Sequence, residues 1–130
     1  LVLLVSKSSR LKSPGELWSR DRIDEPLVSL PANELICKIF QQELSRRGID
    51  WFPSVEVSSL NLIETYVNRG YGVGLSLGVP RSKQSALVRE MVLHDFPTVT
   101  IGAVWQGKPS PLAAAFMEAA REHVKELRQG

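Results

Sequence analysis

Two short stretches of the chain combine residue types that can hold a small polar molecule. The first is Ser58-Ser59-Leu60-Asn61, where two hydroxyls open an apolar helical pattern. The first turn of a helix leaves backbone N–H groups unpaired at the positive end of the helix dipole, and a small anion is favoured there. A capping role for one serine and a strand-end role for the other account for the same residues. The second stretch is Pro31-Ala32-Asn33, ahead of another helix. Asn33 can donate to a ligand and is equally a good N-cap.

Elsewhere the chemistry is thin. Cys37 is the only cysteine, so no internal disulfide can form. A reactive thiol needs a base or a second thiol, and neither stands near it in sequence; a small buried thiol is the simpler account. His94 and Asp95 could act as an acid–base pair, but neighbours on a strand point to opposite faces. His123 shares a helix with Glu122 and Glu126, and two histidines give no H-x-x-x-H spacing for a metal. Gly70, Gly72 and Gly74 miss the dinucleotide-binding spacing, and they close a helix where that motif opens one. No nucleophile–base set stands out. No enzyme activity, cofactor or metal is expected.

The elements that must position the two stretches follow from apolar periodicity. Leu1–Ser6 is a continuous apolar run, the pattern of a strand buried on both faces. Ser13-Pro14-Gly15-Glu16 reads as a capping box opening a short helix with Leu17 and Trp18. Pro26–Leu30 is a second strand, with Ser29 free to face either way. Glu34–Arg47 is an amphipathic helix with Leu35, Ile36, Ile39, Phe40 and Leu44 on its apolar face, stopped by Gly48. Trp51-Phe52 leads into a third strand, Pro53–Val57, either as a surface patch or as a lid on that helix. Leu60–Arg69 is a helix with Leu60, Ile63, Tyr66 and Val67 facing in, closed by Gly70. Tyr71 fills the turn before a fourth strand, Val73–Leu75. Gly78–Gln84 is loop, and Leu87–Leu93 fits strand or weak helix. Thr98–Trp105 reads as a strand, and Ser110-Pro111 starts a helix over Pro111–Arg128. Its stripe is Leu112, Phe116, Ala120, Val124 and Leu127.

Helices alternating with apolar strands predict an α/β fold with a mostly parallel sheet flanked by helices and right-handed crossovers. In such sheets ligands sit at the carboxyl ends of the strands. Both candidate stretches fall there. The 130 residues suffice for one domain, and 43% apolar with 23% charged residues is an ordinary globular balance. The net charge of +2, with the basic residues scattered, gives no argument for nucleic acid or an anionic membrane. The lone cysteine fits a reducing, cytoplasmic setting. Leu1–Val5 is too short to span a bilayer or act as a secretory signal. A chain that begins on Leu inside an apolar strand reads as a piece of a longer protein.

The run Ser59–Leu75, a hydroxyl-opened apolar helix ending in R-G-Y-G-V-G-L, resembles the effector-binding domain of LysR-type transcriptional regulators. The order of the rest agrees. Leu1–Val5 resembles that family's crossing strand, Asp21–Pro31 the approach to its second-subdomain strand, and Leu93–Leu127, with I-G-x-x-W, the return to the first subdomain. Two features depart from the pattern: Ser8-Ser9-Arg10 stands where an H-P is usual, and S-L-G-V intervenes between Leu75 and Pro80. The resemblance implies a type 2 periplasmic-binding-protein-like fold of two α/β subdomains around a small ligand. Residues 1–92 would be the second effector-binding subdomain with the first crossing strand. Residues 93–130 would be the return crossing strand and C-terminal helix of the first subdomain. It further implies a small-molecule effector contacting Ser58, Ser59, Leu60, Asn61, Pro31, Ala32 and Asn33. A homo-oligomer, dimer or tetramer in the full-length protein, is implied too, with DNA reached only through an absent N-terminal helix-turn-helix domain and no membrane partner. The Trp51-Phe52 edge would meet a partner protomer. The alternative is a solute-binding protein of a transporter with the same fold.

Overall fold

In the computed structural model, which describes residues 1–79 and 85–129, five strands and four helices follow one another along the chain. They are β1 (Val2–Ser6), α1 (Gly15–Trp18), β2 (Leu27–Ser29), α2 (Leu35–Arg46), β3 (Pro53–Glu56), α3 (Leu60–Asn68), β4 (Val73–Ser76), β5 (Val88–Val92) and α4 (Pro111–Gln129). The sheet order is β3-β2-β4-β1-β5. β2 pairs in parallel with both β3 and β4, while β1 is antiparallel to β4 and to β5. Four strands therefore share one direction, and β1 runs against them in between. The stretch Leu87–Leu93 resolves as strand because β1 offers it a free edge, with Leu3 opposite Met91.

Alternation along β1 divides the core into two layers. Leu3 and Val5 face α2, packed with Leu27, Ile36, Cys37, Phe40, Leu44, Trp51 and Leu75. Val2 and Leu4 face α3, packed with Val28, Ile63 and Val67. The continuous apolar run at the start of the chain is thus buried from Val2 to Val5, as a central strand covered on both faces requires. Each such leucine contributes about 1.5–3 kcal/mol on burial. Helix α3 comes close to the sheet because Gly74 carries no side chain. A Cβ there would run into the Ile63 Cγ2 and lie 2.8 Å from that of Val67. Gly72, at φ 151°, sits against the Pro26 carbonyl oxygen in the same way, and the N–H of the next residue, Val73, donates to that oxygen at 2.9 Å.

An aromatic group closes the α2 face. Phe40 and Trp51 meet edge to face at 6.1 Å, Phe96 stacks on Phe40 at 5.5 Å, and Trp18 stacks on Phe96 at 6.0 Å. The buried Trp51 also donates its indole N–H to the Glu25 carbonyl at 2.8 Å. Trp51 and Phe52 therefore divide the two roles open to them: Trp51 is the lid on α2, and Phe52 is 67% exposed.

Several local expectations are corrected. The capping box at Ser13 does not form; Pro14 takes the N-cap position without a side-chain bond, and the Glu16 carboxylate accepts from the Lys12 N–H at 3.1 Å. Leu35 lies outside the apolar face of α2 at 57% exposure, and Cys37 and Glu43 are buried there instead. Tyr71 lies on the surface against Tyr66, with ring centroids 5.1 Å apart. Thr98–Trp105 is not a strand among the described residues; Ile101 and Val104 are 84% and 98% exposed. It makes no ladder with another strand among the described residues, and an extended segment without a ladder gains nothing from being a strand. The loop expected at Gly78–Gln84 falls largely outside the described residues.

The chain forms two compact units. The first comprises Leu1–Gly78 and the stretch that runs to Val99, and holds the whole sheet; the second takes in Val79 and the residues from Thr100 onward. In the second, α4 is capped by Ser110, whose hydroxyl accepts from the Ala113 N–H at 3.2 Å. Leu112 and Phe116 of its apolar stripe are exposed.

Candidate functional site

Both candidate stretches lie at the carboxyl ends of neighbouring parallel strands. Ser29 at the end of β2 is in register with Glu56 at the end of β3, and the Val57 N–H donates to the Ser29 carbonyl at 2.9 Å. From these ends the chain leaves on opposite faces of the sheet, into α2 after β2 and into α3 after β3. Adjacent parallel strands whose helices depart to opposite faces leave a crevice between them, which in open α/β sheets is where ligands settle.

On the α3 side, Ser59 is the N-cap. Its extended backbone (φ −154°, ψ 156°) ends the strand, and its hydroxyl accepts from the Leu62 N–H at 3.3 Å. Ser58 is exposed, Leu60 half-buried and Asn61 exposed. The remaining first-turn N–H groups of α3 carry no side-chain cap beyond that single bond. On the α2 side, Pro31 accepts from the Glu34 N–H at 2.9 Å, a tight turn that leaves Ala32 and Asn33 exposed at its tip. Here Asn33 departs from its expected capping role. The N-cap is Glu34, without a side-chain bond, so α2 opens with its first-turn amides uncapped. The structure thus brings Pro31–Asn33 and Ser58–Asn61 to the same end of the sheet, beside one hydrogen-bonded pair of strand ends.

Beside these strand ends lie Ser29 and Cys37, and two carboxylates that the sequence did not single out. Ser29 is buried and donates its hydroxyl to the Leu30 carbonyl at 2.8 Å. The Cys37 thiol donates to the same carbonyl at 3.2 Å. Burial pushes the Cys37 thiol above its ordinary pKa, against the hydrogen bonds with Ser29 and Leu30, and the Glu34 and Glu56 carboxylates act in the same direction as burial. Glu34 and Glu56 themselves are exposed and bring negative charge to the same strand ends. Glu56 was legible in principle: Ser54, Glu56 and Ser58 alternate onto the exposed side of β3.

At the opposite end of the sheet a cavity of about 380 Å³ lies among Val5, Ser9, Arg10, Arg20, Glu25 and Gly72. Arg20 and Glu25 are already joined to one another at 2.6 Å across its wall. No group of three His, Cys, Asp or Glu among the described residues is placed to hold a metal ion. No helix among them is long and apolar enough to cross a membrane. His94 and Asp95 are both exposed and make no bond to each other; Asp95 offers only its carbonyl, to Arg47.

The fold has known counterparts. The PA01 protein of Pseudomonas aeruginosa, described as a LysR family transcriptional regulator, superposes with a TM-score of 0.68 at 18% identity, covering 95% of this chain and 44% of that one. HinK, a LysR family transcriptional regulator of the same organism, gives 0.68 at 19% identity, covering 94% of this chain and 43% of that one. The chain therefore spans less than half the length of these solved structures. A comparison with curated proteins finds no match. The family model of the LysR substrate binding domain matches residues 1–125, nearly the whole chain. With its strand order, its paired strand ends and that match, the chain belongs to the LysR substrate-binding domain family.

Proposed function

We propose that this chain is the effector-sensing part of a LysR-type transcriptional regulator, and that the crevice between Pro31–Asn33 and Ser58–Asn61 takes a small anionic metabolite. The observation that carries the reading is the register of Ser29 with Glu56, which sets two weakly capped helix starts side by side. Backbone N–H groups from both would meet one carboxylate or similar group. Glu34 and Glu56 repel each negative charge brought beside them, a cost that grows with ligand charge and so favours a singly charged ligand over a multiply charged one. The chain performs no catalysis in this reading; it binds. Residues 93–130 supply the return connection and terminal helix of the other subdomain, the remainder of which would complete the cleft. Effector binding favours one arrangement of the subdomains over another, and in an oligomer that bias reaches a DNA-binding domain outside this chain.

Titration calorimetry on the full-length protein, with a panel of small carboxylates and inorganic anions, tests this directly. At least one should bind, and Ser59→Glu should weaken that ligand by like-charge repulsion while the fold persists. Unchanged affinity in the folded variant would sink the site.

A further inference from the structure

The return segment after β5 is held to the first unit by a set of contacts that the effector reading does not use. The Leu93 N–H donates to the Leu1 carbonyl at 3.1 Å, and the Phe96 N–H to the Leu93 carbonyl at 3.2 Å. Phe96 is buried between the rings of Trp18 and Phe40. Arg47, just past the end of α2, lies over the other part of this segment. Its guanidinium carbon is 4.6 Å from the Phe96 ring centroid, and its Nη2 donates to the Asp95 carbonyl at 2.9 Å. Arg47 is itself fixed, because its Nε donates to the Glu43 carboxylate at 2.8 Å. A guanidinium that stacks and donates at once has little freedom left. Val99 adds an apolar contact to the same core, but among the described residues Thr98 to Ile101 make no backbone hydrogen bond.

We propose that Arg47 and Phe96 form a clamp that holds the return segment to the first unit, so that movement of the chain beyond it pivots after Val99 and not within β5. Arg47 is a positioning residue here: it touches no ligand and acts through Asp95 and Phe96. The functional meaning rests on the reading of residues after Leu93 as the return connection of an effector-binding domain. A clamp of this kind sets how rigidly a change in the crevice is passed on, since a loose segment would absorb the displacement.

Hydrogen exchange on the ligand-free full-length protein tests the clamp without requiring an effector. The amides of Leu93 and Phe96 should exchange at least about tenfold more slowly than that of Thr98. Arg47→Met, which keeps the aliphatic stem, should speed Leu93 and Phe96 toward the Thr98 rate and leave Ile63 and Leu75 unchanged. A purely structural role would raise exchange at all four together. The proposal is overturned if Phe96 in the wild type exchanges as fast as Thr98, or if Arg47→Met and Phe96→Ala both leave the local pattern as it was. Failure to find a ligand for the crevice would remove the functional meaning and leave the exchange result standing.

Discussion

Ser59 does two things at one atom, and substitutions can separate them. Its hydroxyl caps α3 and stands at the rim of the proposed crevice. Ser59→Ala should cost about 1 kcal/mol of stability, seen as a lower denaturant midpoint. Ser59→Asp keeps a good cap, so the midpoint should hold, yet it sets a carboxylate where the anion would bind. Affinity lost without stability in the Asp variant marks a ligand contact; no loss in either property would reduce Ser59 to a surface residue. Glu43 is a second residue with a separable role. Hydrogen bonds from Arg46 and then Arg47 hold its carboxyl down at about 2, from an ordinary 4.5. A carboxyl whose pKa falls on folding adds stability above the ordinary value, and that stability is lost as protons are added down to the folded value. Melting temperature should therefore drop between pH 4.5 and about 2, and Glu43→Gln should flatten the profile in that window. An equally steep profile in the Gln variant would place the acid sensitivity elsewhere.

Packing of whole elements turns on a few atoms. Gly74 lets α3 sit down on β4, with Ile63 and Val67 occupying the space a side chain would need. Gly74→Ala should cost roughly 1–3 kcal/mol by overpacking, and Ile63→Ala in the same chain, which removes the Cγ2 in its path, should make the double loss smaller than the sum of the two single losses; additive losses in the double variant would contradict direct contact. Most elements were legible because their signals were local. The helices of Glu34–Arg47 and Leu60–Arg69 announced themselves by spacing, and the glycines after them by position. The candidate stretches were legible for the same reason, since hydroxyls and a proline turn at strand ends need no tertiary information. What stayed hidden depended on neighbours distant in sequence. Val88–Val92 is a strand because it pairs with β1, whereas Thr98–Trp105 finds no ladder among the described residues. Leu35 fits the helical stripe as well as Cys37 does, and only the position of the sheet decides which of them is covered. Glu34 replaces Asn33 as N-cap because the Pro31 turn fixes where the helix may begin.

For the molecule as a whole, charge argues against a direct role on DNA. The chain carries a net charge of +2 and no basic helix, so the phosphate-neutralising contribution to DNA affinity is small. A gel shift with promoter DNA should show no salt-sensitive complex at sub-micromolar concentration of this chain; such a complex would overturn the proposed division of labour. The exposed stripe of α4 and the unpaired Ile101–Val104 stretch predict that the chain by itself associates, since apolar surfaces of that kind are normally covered by another chain. Light scattering at micromolar concentration should give a mass above one protomer, reduced on deleting residues 98–130. A monodisperse monomer would show that these residues need no cover. The reversed strand at the centre of the sheet also has a consequence in time. Leu3 pairs with Leu75 and Met91, so β1 cannot join the sheet until β4 has been made, nor be covered on both edges until β5 follows. At ~5–20 residues per second, a ribosome carries the uncharged, β-prone run L-V-L-L-V unpaired for on the order of ten seconds. During that interval the strand that later forms the middle of the sheet is the segment of the nascent chain most exposed to aggregation and to chaperones.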